Sequence, residues 1–228
     1  MKSKEVMIEY MHMKTINLFV ANASGSLSEQ LKIIQSAFDR ASLVAQQLIG
    51  LTDVDVICIN DANMVIPEVG VGGYTPSRHL SYLYVDPLNE ELSEQEIFNT
   101  LCHELYHAKS YDGQGYGSTL LDSIIFEGLA TAFEDEVSKG NSFVVKELST
   151  RNTSERLLQK HRDELSDEEF NHFRWFIFDE TKELPRWAGY EIGYHIVKKY
   201  LKKTNKKASE LVVEDLSVFK SELDSRLN

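Results

Sequence analysis

Apolar and polar positions alternate in short stretches of the first third of the chain and recur at helical spacing after it. "KTINLFVAN" (14–22) predicts a β-strand, and "DVDVICIN" (53–60) a second. Between them "LSEQLKIIQSAFDRASLVAQQLIG" (27–50) reads as an amphipathic helix, with Leu31, Ile34, Phe38 and Leu43 to Ala45 on or near one side. "GVGGYTP" (70–76) reads as a glycine-rich turn and "HLSYLYVDP" (79–87) as a third strand closed by Pro87.

From Leu92 onward helix signals dominate. Ser93 and Glu96 have capping-box spacing, and Leu92 and Ile97 sit where a hydrophobic staple would. Ile97, Phe98, Leu101, Leu105 and Ala108 then form a buried stripe, ending near Tyr111 before "DGQGYG". A second helix begins at Ser118 or Thr119 and runs to Gly140. The remainder predicts several helices, one capped by Ser166 with Glu169 and a longer one over "RWAGYEIGYHIVKKYLKK" (186–203). The pattern gives an α+β chain: a lobe over 1–140 with a small mixed sheet, and a mostly helical lobe over 141–228 completing one catalytic unit.

Composition narrows the partners. A formal charge of −12 over 228 residues repels phosphate backbones and anionic lipid, so neither nucleic acid nor a membrane surface is expected. The basic run "KKYLKKTNKK" (198–207) reads as a solvated helix end with no functional role. Cys58 and Cys102 lie in apolar patterns without CxxC spacing and read as small core residues. The N-terminal apolar stretch "INLFVA" is too short for a signal peptide, which gives a cytoplasmic expectation.

The candidate chemistry lies in "LCHELYHAKSY" (101–111). Residues four apart on a helix differ by only about 40° in direction, so His103 and His107 aim their imidazoles at one point. That suits two ligands of one tetrahedral metal, with Glu104 beside them as general base toward water. Such spacing also arises by chance, so a third ligand is needed. Glu127 offers it: a carboxylate amid the apolar run "IIFEGLATAFE", twenty residues after His107 and across a glycine-rich reversal.

With these residues in place, "HELYH" followed by "EGLA" resembles the gluzincin, thermolysin-like metalloproteases. "GVGGYTP", "HELYHA", "FEGLA" and "WAGYEIGYHIVKKYL" together resemble a bacterial family of predicted zinc-dependent proteases, over most of residues 53 to 203. The resemblance implies a zincin-like fold and one Zn2+ per chain, held by His103, His107 and Glu127, with Glu104 as the catalytic glutamate activating a water for peptide-bond hydrolysis. It implies a peptide or protein substrate. The other reading is a catalytically silent metal-binding domain acting through protein contacts or stress regulation.

The chain departs from thermolysin-like enzymes in having Thr131 one turn beyond the glutamate ligand, where they carry an acidic residue. Thr131, Glu134 and Asp122 stand as unranked candidates to orient a ligating histidine. Peptide hydrolysis also needs a donor to the developing oxyanion, for which Tyr190, Tyr194 and His195 are the candidates, Tyr190 leading. Gly189 and Gly193 would let their helix approach a neighbour closely. The strand 79–87 is either the edge strand that pairs with extended substrate or an internal strand.

Overall fold

The structure, a computed structural model, describes residues 15–220; His12, a histidine without a partner at ligand spacing in the sequence, lies outside them. Its first half is a four-stranded mixed sheet of β1 (Ile16–Ala21), β2 (Val54–Asn60), β3 (Val71–Ser77) and β4 (Leu80–Val85), in the order β1-β2-β4-β3. Helix α1 (Leu31–Ile49) makes the crossover that parallel β1 and β2 require. It buries Ile34, Ala37, Phe38, Ala41 and Ala45, while Leu43 and Leu31, predicted near the apolar side, are exposed. Gly50, at φ +60°, ends the helix in the left-handed conformation that glycine adopts without penalty.

"GVGGYTP" is not a turn. It forms most of β3, the edge strand, which runs antiparallel to β4 and packs on α2 (Glu94–Ser110). Its glycines serve close approach: a Cβ on Gly72 would strike the Met64 carbonyl, and one on Gly73 would strike the Glu104 side chain. Strand β4, between β2 and β3, is internal.

Helix α2 starts as its sequence predicts, with Ser93 Oγ accepting from the Glu96 N–H at 3.3 Å. The return half of the box is missing, because Glu96 instead accepts from Phe143 N at 3.0 Å and Asn99 Nδ2 at 3.1 Å. The predicted stripe from Ile97 to Ala108 is buried throughout. Helix α3 (Leu120–Ser138) begins with a full capping box between Thr119 and Asp122 and is almost wholly buried.

Beyond it come α4 (Phe143–Ser149), α5 (Ser154–Lys160), α6 (His172–Phe176) and α7 (Ala188–Thr204). The helix expected from Ser166 does not form, because Leu165 and Asp167 turn their carbonyls to the otherwise unpartnered Leu121 and Leu120 N–H groups at the start of α3. Asn171 caps α6 instead. Gly193 packs against Gly128 and the Ile124 carbonyl, where neither glycine has room for a side chain, so α3 and α7 cross in close contact. Gly189 lies against the Phe176 ring.

The main core joins Ile34, Phe38, Leu83, Leu101 and Leu105 to Val197, Leu211 and Phe219, so both halves of the chain contribute to it. Cys58 and Cys102 are free and buried in it, and burial pushes the Cys58 thiol up to about 12. No helix among the described residues is long and apolar enough to cross a membrane.

Candidate metal centre

Helices α2 and α3 bring three ligand atoms together. His103 Nε2 lies 3.0 Å from His107 Nε2 and 3.2 Å from Glu127 Oε2, and the His107–Glu127 edge is 3.1 Å. These edges are close to the roughly 3.3 Å expected between ligands of a tetrahedral ion bound at about 2.0–2.1 Å. The triad is buried, with His103 8%, His107 4% and Glu127 2% exposed.

The charge balance of this interior favours a cation. Glu104, Glu127 and Glu134 are all buried, and among the described residues neither lysine nor arginine pairs with any of them. Three buried carboxylates against two imidazoles form an arrangement that a dication offsets. Burial pushes the His103 imidazolium down, but hydrogen bonds to Glu127 and Glu134 outweigh it and raise its pKa to about 10. Burial likewise raises the Glu127 carboxyl, yet the two imidazoles hold it well below the usual carboxylate range. The field that draws a proton to this point draws a metal ion equally. Two imidazoles and one carboxylate are donors that fit zinc.

Each histidine is oriented by a different device. His103 Nδ1 lies 3.3 Å from Glu134 Oε2, and Ser142 Oγ donates to the other Glu134 oxygen at 2.5 Å. Of the three candidates for this task, Glu134 performs it; Thr131 donates to the Glu127 carbonyl within α3, and Asp122 caps that helix and pairs with Lys220. The His107 ring stacks on Phe126 at 4.4 Å and 9°, while its Nδ1 is buried without a hydrogen-bond partner.

Glu104 sits beside the triad, 7% exposed, with Oε2 accepting from Thr75 Oγ1 at 2.7 Å. Thr75 also lies 2.9 Å from Ser81 Oγ, so a hydroxyl pair across β3 and β4 holds the carboxylate. Burial raises the Glu104 pKa against the pull of His107, His103 and Thr75, which makes it a stronger base than an exposed glutamate.

Two phenols face Glu127. The half-buried Tyr190 has its ring 6.2 Å from His103, and its hydroxyl lies in the field of the Glu127 carboxylate. Tyr116 donates to Glu127 Oε1 and its ring packs tilted against Phe126, centroids 4.3 Å apart. Burial and the Glu127 charge raise both phenols well above the usual value, so both stay protonated donors. Sequence reasoning missed Tyr116, whose segment "DGQGYG" was informative only as a helix breaker. His172, which has no partner at ligand spacing in the sequence, is stacked on Phe176 at 4.6 Å with the Tyr116 ring 6.1 Å away.

The structure does not bring Tyr194 or His195 to the triad. The Tyr194 hydroxyl donates to Asp135 Oδ2 at 2.9 Å, amid Val145, Leu148 and Trp187, and His195 Nε2 lies 3.2 Å from the Leu148 carbonyl. Tyr194 and His195 are thus corrected as oxyanion donors: one turn along α7 from Tyr190 carries the Tyr194 ring past the end of the site.

No curated protein and no solved structure matches the chain. A family profile does, over residues 31–220, a span that holds the three ligand atoms, Glu104, Thr75 and both phenols, and the chain belongs to that family, described as predicted Zn-dependent protease (DUF2268).

Proposed function

We propose that the protein is a zinc-dependent peptidase of the gluzincin type. The observation that carries the reading is the convergence of His103, His107 and Glu127 on one point, with a buried glutamate of raised pKa as the next residue after the first ligand. When bound, zinc supplies Lewis-acid polarisation of a carbonyl and acidification of water.

The chain's own residues supply the rest. Glu104, steadied by Thr75, takes a proton from the attacking water at Oε1 or Oε2 and returns it to the leaving amine. Tyr190 and Tyr116 place neutral O–H groups toward the centre, where one donates to the oxyanion as it forms. The outer edge of β3 beyond the Ile66–Val71 bridge, rather than β4, is where an extended substrate backbone pairs, because β3 flanks α2 and carries Thr75 against Glu104. Pro76 lacks an N–H and suits an edge.

The test is hydrolysis of a quenched fluorogenic peptide library by zinc-loaded protein and by Glu104→Gln at equal metal content. Native protein is expected to cleave and the variant to be silent. Cleavage by the variant overturns the mechanism, and silence of both leaves a metal-binding domain without peptidase activity.

A further inference from the structure

A groove of about 810 Å3 lies between α5 and α7. It is a separate place from the metal centre: going along α7 from Tyr190 to His195, Lys199 and Lys202 turns the helix through roughly 120–180°, so these residues face away from the triad. Four cations line it, Arg151, Lys198, Lys199 and Lys202, against one carboxylate, Glu155. In a chain of net charge −12 this is an inversion of the prevailing sign. The basic run that reads as a solvated helix end in the sequence is, for Lys198, Lys199 and Lys202, the wall of a groove.

The cations are of two kinds. Arg151 is fixed, donating to the Arg186 carbonyl at 2.6 Å and lying 6.0 Å over the Trp187 ring, and Lys198 is paired with Asp135 at 2.6 Å. Lys199 and Lys202 form no ion pair among the described residues and are exposed. The facing wall carries the amides of Asn152 and Gln159, and Leu158 and Ile196 supply apolar surface.

We propose that this groove binds an acidic, extended peptide segment of a partner protein. Lysines three residues apart along a helix present point charges about 4–5 Å apart along the axis, which match successive carboxylates better than one compact phosphoryl group. A phosphoryl site needs convergent donors, such as a free guanidinium fork, and the only arginine here already spends an N–H on a carbonyl. Side-chain amides suit peptide N–H and C=O groups. A longer polyanion such as nucleic acid would face a chain of net charge −12, a poor partner for it. Against a net charge of −12, a groove lined by four cations and one carboxylate is a place where such a segment docks.

The test is direct binding, independent of catalysis. Fluorescence anisotropy of a labelled eight-residue oligoglutamate is followed with native protein, with Glu104→Gln, with Lys199→Glu/Lys202→Glu, and with Lys32→Glu/Lys182→Glu as a reversal of equal charge outside the groove. The milder Lys199→Gln/Lys202→Gln serves if the first double variant folds poorly by circular dichroism. Expected are salt-sensitive binding, at least a tenfold loss on either groove substitution, a much smaller loss on the control reversal, and no change in Glu104→Gln. Absence of binding, equal loss in the control, or tighter binding of tripolyphosphate or an eight-nucleotide oligothymidine overturns the assignment.

Discussion

Thr75 Oγ1 donates to Glu104 Oε2 across 2.7 Å, joining the edge strand of the sheet to the helix that carries the histidines. Only one proton is available on that hydroxyl, and with Ser81 Oγ 2.9 Å behind it the pair acts as a two-membered support. Thr75→Val keeps the shape of the side chain and leaves the buried carboxylate without this donor. Expected is a loss in kcat on the order of 10-fold to 100-fold with metal affinity unchanged, since small displacements of a reacting group are costly. Thr75→Ser should restore most of it. Equal kcat in Thr75→Val and native protein would show that Glu104 is positioned by other contacts.

Glu134 reaches His103 Nδ1 from two turns beyond Glu127 on α3. Accepting from Nδ1–H leaves the Nε2 lone pair toward the metal point. Glu134→Gln can present its N–H side and select the wrong tautomer, and Glu134→Ala removes the partner. Zinc affinity, measured by competition with a chromophoric chelator, is expected to fall about 10-fold to 100-fold in the alanine variant. Thr131→Val should leave it unchanged, because Thr131 bonds only the Glu127 carbonyl.

These two contacts mark how far the sequence is readable. The start of α2, its buried stripe, the HExxH spacing and Glu127 depend on local pattern, and each is found where the pattern puts it. The choice of Glu134 over Thr131 or Asp122 depends on the rotation of α3 about its axis, which no local pattern contains. "GVGGYTP" misleads because glycine signals both turns and close approach, and here Glu104 and Met64 are the neighbours that require it. Tyr116 escapes notice because a loop has no periodicity, so nothing short of the folded chain places its hydroxyl on Glu127. Ser166 has a proper capping sequence, but its segment is used to satisfy the start of another helix.

Acid should weaken the entry to α7 through Asp179. This carboxyl is 3% exposed and accepts from the backbone N–H of Thr181, Glu183 and Leu184 and from the Thr181 hydroxyl. Burial pushes its pKa up, but the Thr181 hydroxyl, the backbone donors and Arg174 outweigh that and hold it at about 2. A depressed carboxylate stabilises the fold above its unfolded value, about 3.9, and that contribution is lost as pH falls through the folded value. Asp179→Asn should therefore melt at lower temperature than native protein at pH 7, the difference shrinking between pH 4 and pH 2. A constant difference across that window would assign the effect to packing rather than charge.

The three tyrosines separate by where their hydroxyls go. Tyr116 donates to Glu127 and Tyr190 stands beside His103 in the field of the same carboxylate, whereas Tyr194 is committed to Asp135. Removing a donor to a developing oxyanion costs on the order of 10²–10³ in kcat when that donor is the principal one. Either Tyr190→Phe or Tyr116→Phe should show a fall of that order, with KM little changed if the contact forms only in the transition state. Tyr194→Phe should retain kcat within about threefold and instead lower thermal stability, since it leaves the mostly buried Asp135 carboxylate with Lys198 alone. Metal content measured on all three proteins separates a lost donor from a lost ligand environment. A deficit confined to Tyr194→Phe would return the oxyanion role to the far turn of α7 and require that helix to rotate when substrate binds.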